Sequence, residues 1–94
     1  MRGIDKQMSA AVAGRINWGM GNTCVIINSN GLEVRLHGLL IYQEKDGVKY
    51  FTLAGWDTPT TRTRLKALGV DIRRIGGKTY YDGSVVDKNE WYAV

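Results

Sequence analysis

Leu53–Gly69 reads LAGWDTPTTRTRLKALG, and it holds a strand exit, a helix start, a helix stop and the densest positive charge of the chain. Thr58 can cap a helix with its hydroxyl, and Pro59 suits the first helical position because its missing N–H costs nothing there. Gly69 can end the helix in the left-handed conformation. The stretch therefore predicts a helix of about two and a half turns near Pro59–Leu68. Thr61, Leu65 and Leu68 fall at spacings of four and three on one buried stripe. Arg62 and Lys66 lie four apart on another face, with Arg64 to one side. Free N–H groups at the helix start, near Thr58, Thr60 and Thr61, would favour an anion such as a phosphate. The alternative is that the threonines only cap the helix and the arginines are solvated.

Working outward, the C-terminal side predicts a second cationic element. Val70–Ile75 alternates, Gly76-Gly77 permits a hairpin into Lys78–Tyr81, Asp82-Gly83 makes a further turn, and Trp91–Val94 reads as a last strand. Arg73, Arg74, Lys78, Tyr80 and Tyr81 combine cations with flat rings, a mixture that holds phosphates and bases or a protein surface. It is equally the composition of a tyrosine-rich sheet edge kept soluble by charge.

On the N-terminal side, Ile4, Met8, Ala11 and Val12 have helical spacing before Gly14, and Ile16–Gly21 reads as a glycine-punctuated loop whose Trp18 folds back on the core. From Asn22 the period changes to two. Thr23–Asn28, Leu32–His37, Leu39–Glu44 and Val48–Ala54 predict four antiparallel strands joined at Ser-Asn-Gly, at Gly38 and at Lys-Asp-Gly. The expected architecture is α+β in a single domain, 1–94. An antiparallel sheet of about five to seven strands carries a short N-terminal helix and the central helix on one face.

With 94 residues, 44% of them hydrophobic, the chain can bury one modest core. No run of about 18 apolar residues predicts a membrane span, and the N-terminus does not have the pattern of a signal peptide, so a cytoplasmic protein is expected. The net charge of +4 is uneven: Arg62, Arg64, Lys66, Arg73, Arg74 and Lys78 face only Asp71 within Thr58–Tyr80, which predicts an acidic or polyanionic partner. Cys24 lies in an apolar run and is expected as a buried thiol.

Catalytic chemistry has no constellation here. His37 is the single imidazole, and Ser9, Ser29 and Ser84 have no base nearby in sequence. Asp57, Asp71, Asp82, Asp87 and Glu90 are scattered near turns. One histidine and one cysteine do not make a zinc site. Gly77-Lys78-Thr79 lacks both the preceding glycine and the following helix of a P-loop, and Gly19-Met20-Gly21 precedes a strand where a dinucleotide fold needs a helix. No enzyme, metal or cofactor is expected, and binding is favoured by elimination.

Gly21-Asn22-Thr23, Leu36-His37-Gly38 and Leu53–Leu65, with Trp18 upstream and Tyr80, Tyr81, Trp91 and Tyr92 at the end, resemble a group of small proteins carried by tailed bacteriophages and prophages. The resemblance implies a phage accessory protein acting inside bacteria and supplies no catalytic residues. By analogy with small phage proteins it implies a stoichiometric inhibitor of a host defence nucleoprotein complex, anti-CRISPR-like, or a DNA- or RNA-binding factor for phage replication or transcription. The residues expected to meet the partner are Arg62, Arg64, Lys66, Arg73, Arg74 and Lys78, with Tyr80 and Trp56 as anchors. Two further classes are a small hydrolase or transferase and a virion component. Exposed strands at Thr23–Asn28 or Trp91–Val94 could also pair with a second copy.

Overall fold

A computed structural model describes residues 3–94. The chain runs α1 (Gly3–Gly14), β1 (Trp18–Met20), β2 (Thr23–Asn28), β3 (Gly31–Leu36), β4 (Leu39–Lys45), β5 (Val48–Phe51), α2 (Pro59–Ala67), β6 (Ile72–Ile75), β7 (Lys78–Tyr81), β8 (Ser84–Val85) and β9 (Tyr92–Ala93). The fold is α+β. The strands form two antiparallel sheets, a six-stranded sheet in the order β1-β2-β3-β4-β5-β9 and a three-stranded sheet β6-β7-β8.

The large sheet follows directly from alternation. Thr23, Val25, Leu32, Val34 and Leu36 are buried on one face, whereas Ile26, Glu33 and Arg35 point to the other. A bulge between Val34 and Arg35 opposite β4 places both Ile41 and Tyr42 in the core. Met8 and Ala11 of α1 and Leu65 of α2 complete that core with Phe51, Leu53 and Val70. Gly31 is fixed by close approach, since a Cβ there would stand 1.7 Å from the Glu44 carbonyl oxygen.

The small sheet joins the core through Ile72 and Thr79, together with Val86 just after β8, all buried. Tyr81 stands edge-on to Phe51, with ring centroids 4.9 Å apart, and Tyr92 stacks on the same ring at 5.4 Å. The tyrosine-rich tail is thus divided. Tyr81 and Tyr92 are structural, and Tyr80 faces outward.

Several sequence expectations change in detail. The expected loop around Trp18 contains β1, because Trp18, Gly19 and Met20 pair with Val25, Cys24 and Thr23 across a tight turn. Among the described residues, five strands therefore precede α2. The residues after Phe51 leave the sheet to make the turn into α2, so β5 is shorter than expected. The hairpin after α2 builds its own three-stranded sheet with β8, and only β9 returns to the large one. Cys24 is half-buried on the outer face of the large sheet rather than enclosed.

Candidate recognition surfaces and the distribution of charge

Helix α2 begins as its sequence dictates. The Thr58 hydroxyl accepts from the Thr61 N–H at 3.2 Å, and Pro59 occupies the first turn. Behind this cap, Leu53 to Trp56 forms a tight turn closed by the Trp56 N–H to the Leu53 carbonyl at 3.0 Å. Its central residues, Ala54 and Gly55, have φ of 54° and 83°. The turn holds the Trp56 ring out in solvent, 65% exposed.

Between this turn and the end of β3 lies a groove of about 450 Å³. Leu36, Leu39, Ile41, Leu53 and Ala54 form its apolar floor and sides, Trp56 forms one wall, and His37, Thr58, Thr60 and Thr61 supply its polar atoms. Among the described residues, no lysine, arginine, aspartate or glutamate lines it.

The six cations expected to form one surface have three different fates. Arg64 is 3% exposed and pairs with Asp5 of α1, which is fully buried, at 2.7 Å. Its Nε also donates to the Thr23 hydroxyl at 3.0 Å and Nη2 to the Asn22 side-chain oxygen at 3.4 Å. Arg64 is therefore an internal strut between two helices and the start of β2, and its expected place on a solvent face is corrected. The physical reason is Asp5, which neutralises it, together with Thr23 and Asn22, which satisfy the rest of the guanidinium.

Arg62 and Arg74 converge on Asp57. Arg62 Nη1 donates to Oδ1. Arg74 Nη1 and the Thr79 hydroxyl donate to Oδ2 at 2.6 and 2.5 Å. Burial on its own would raise the Asp57 pKa; the bonds from Thr79 and Arg62 and the charges of Arg62 and Arg74 outweigh it and hold the carboxyl below its ordinary value. Asp57 thus ties α2 to the small sheet. Arg62 is largely enclosed in this contact, while Arg74 keeps part of its guanidinium in water.

Lys66, Arg73 and Lys78 remain exposed. Arg73 has only a loose, fully solvated contact with Asp71 at 3.6 Å. On the small sheet the register sets Arg73 opposite Tyr80, which is opposite Val85, and sets Ile75 opposite Lys78. Directly opposed residues share a face. Arg73, Ile75, Lys78, Tyr80 and Val85 therefore form one outward face, with Ile75 62% and Val85 53% exposed. Of the eight residues expected to meet a partner, Arg73, Lys78 and Tyr80 come together here. Lys66 stands on α2 and Trp56 at the groove.

Asp5, Asn22 and Thr23 were not singled out as parts of the site from sequence, yet they join its motifs. Asn22 Nδ2 lies 3.4 Å from His37 Nε2, and the His37 N–H donates to the Asn22 carbonyl at 2.7 Å. Gly21-Asn22-Thr23, Leu36-His37-Gly38 and the arginine helix are thus one contiguous network. Their spacing along the chain hides this. The signal available for Arg64 was its place on the Thr61, Leu65, Leu68 stripe, three residues after the first and one before the second.

This is a small α+β protein whose motif residues largely build internal contacts and whose surface includes an apolar groove and a mixed sheet face. The family model described as Kyanoviridae Gp96 protein matches residues 1–92, and the chain belongs to that family of bacteriophage proteins. No curated protein and no solved structure matches it. Among the described residues, no helix is long and apolar enough to cross a membrane.

Proposed function

We propose that the protein is a phage accessory factor that works by stoichiometric binding. In this reading the outer face of the small sheet docks on an acidic protein surface of a bacterial host complex, a nucleoprotein defence machine of the CRISPR type being the intended target. The protein would act in the host cytoplasm, by occupying a surface or blocking a rearrangement, without a catalytic step.

The observation that carries this reading is the composition of that face. Arg73, Ile75, Lys78 and Val85 are exposed, Tyr80 beside them is half-buried, and the five are neighbours by register. An arginine and a tyrosine beside aliphatic residues are the pairing typical of protein-recognition centres, and the two cations supply complementarity to acid. The division of the six cations also supports protein over phosphate backbone, since Arg62, Arg64 and Arg74 already satisfy Asp57 and Asp5. A second reading, a DNA- or RNA-binding factor, draws on the exposure of Lys66, Arg73 and Lys78.

The test is capture from host lysate by the tagged full chain, with and without nuclease, for the wild type, Arg73→Glu/Lys78→Glu and Lys66→Glu. The proposal expects a nuclease-resistant protein partner that is lost in the double reversal and kept in Lys66→Glu. Recovery of nucleic acid alone, abolished by nuclease, would support the second reading. A protein partner indifferent to the double reversal would remove the small sheet as the site.

A further inference from the structure

The groove beside Trp56 belongs to neither reading. We propose that it is a binding site for an uncharged, planar aromatic or heteroaromatic small molecule, stacked on Trp56 and hydrogen-bonded at its edge by Thr60 and His37.

Size comes first. About 450 Å³ falls in the range of small-molecule sites, and an apolar floor with a few convergent polar atoms is their usual composition. Charge comes second. The chain has 13 lysines and arginines and 9 aspartates and glutamates, yet none of these lines the groove among the described residues. An ionised ligand would lose its hydration there with no lysine, arginine or carboxylate in return, and only the partial positive charge of the α2 start would offset this for an anion, so the lining favours a neutral ligand.

The polar atoms are positioned for use. Thr58 and Thr61 hydroxyls bond each other at 3.0 Å and are committed to the helix cap. The half-buried Thr60 hydroxyl has no protein partner among the described residues, so a donor or acceptor at the groove is left for an occupant. His37, on the opposite side, keeps one ring nitrogen near Asn22 and orients the imidazole at the rim.

Backbone conformation points to the same place. Four tight turns pair a left-handed non-glycine residue with a left-handed glycine: His37-Gly38, Asp46-Gly47, Ala54-Gly55 and Asp82-Gly83. Asp46 and Asp82, outside the groove, are the residue type that such turns favour. The two turns that border the groove instead carry His37 and Ala54, both of which line it. An alanine is a poor local choice at positive φ. Its small side chain takes little of the groove that a larger residue at this lining position would occupy.

The experiment is a titration of the full chain with indole, followed by amide and indole N–H shifts in two-dimensional NMR, with indole-3-acetate and tryptamine as anionic and cationic relatives. The expected result is saturable shifts at His37, Leu39, Ala54, Trp56 and Thr60, with both charged relatives weaker by roughly tenfold. Trp56→Ala changes an exposed side chain and should keep the spectrum of the fold while weakening indole by at least about tenfold. Thr60→Val, which keeps the shape and removes the hydroxyl, should weaken it by roughly fivefold. Absence of saturable shifts, shifts centred on Trp18 or Trp91, or equal affinity for the charged relatives would overturn the proposal. So would shifts of the same groove residues that grow with protein concentration without any probe, because they would assign the groove to a second copy of the chain.

Discussion

The two sheets use arginine in opposite ways. At the large sheet, Arg64 is enclosed, paired with Asp5 and bonded to Thr23 at the start of β2, so its charge is consumed within the fold. On the small sheet, Arg73 stands in water beside Ile75 and Tyr80, with little to hold it. Arg74, one residue along, points to the other face and meets Asp57. Alternation along a single strand thus separates a structural cation from one free to recognise a partner. The lesson is that local charge density in a sequence overstates the charge a fold presents.

The contrast can be broken most severely at Arg64. Arg64→Leu should destabilise the protein by about 3 kcal/mol, because it removes the buried guanidinium that meets Asp5, Thr23 and Asn22. Urea denaturation measures this. An additional Asp5→Leu should recover much of the loss, whereas a fully solvated Arg64 would give a near-neutral single variant.

Asp57 tests the link between the sheets. Asp57→Ala should cost about 2–3 kcal/mol, as it removes bonds from two arginines and Thr79. Hydrogen exchange should quicken in β6–β8 well before it does in β2–β4. The acid limb supplies the sign. Because the folded-state pKa of Asp57 is lowered, its contribution is complete above the ordinary carboxylate value of 3.8 and is lost as pH falls through the lower folded value. Asp57→Asn should therefore flatten the acid-side loss of stability, and an unchanged acid limb would count against the clamp.

Smaller effects are expected at the helix cap and on the open face. Thr58→Ala removes the bond to the Thr61 N–H and should cost about 1 kcal/mol by thermal or urea unfolding. Arg73→Glu/Lys78→Glu should change stability by no more than about 0.5 kcal/mol, the usual size for solvated positions. A large loss from the double reversal would mean that this face is also structural.

What could be read from the sequence follows the range of the interactions. The Thr58 cap, the Asp-Gly turns and the alternation through β2 and β3 are local, and the structure contains them. The partners of Arg64 and Arg74 are not local: Asp5 is 59 residues from Arg64 and Asp57 is 17 from Arg74, whereas Asp57 is only five from Arg62. Arg64 was expected beside the cationic face because its charge argued for solvent, and a partner from α1 reverses that preference. For the same reason the exposed mixed face emerged only in part. Arg73, Lys78 and Tyr80 were identified, while Ile75 and Val85 required the strand register. Whether Trp56 or Tyr80 receives a partner is decided by surfaces, and helical or strand period does not encode them.

The most direct measurement is the salt dependence of binding to double-stranded DNA for the wild-type chain. If Arg62, Arg64 and Arg74 are held by Asp57 and Asp5, then of the six cations of α2 and the small sheet only Lys66, Arg73 and Lys78 remain to release counterions at a surface formed by these two elements. The account predicts either no measurable binding or a slope of log K against log salt no steeper than about −2.7. A slope approaching roughly −5.4, the value for six phosphate contacts, would contradict it by showing that all six cations act as one surface.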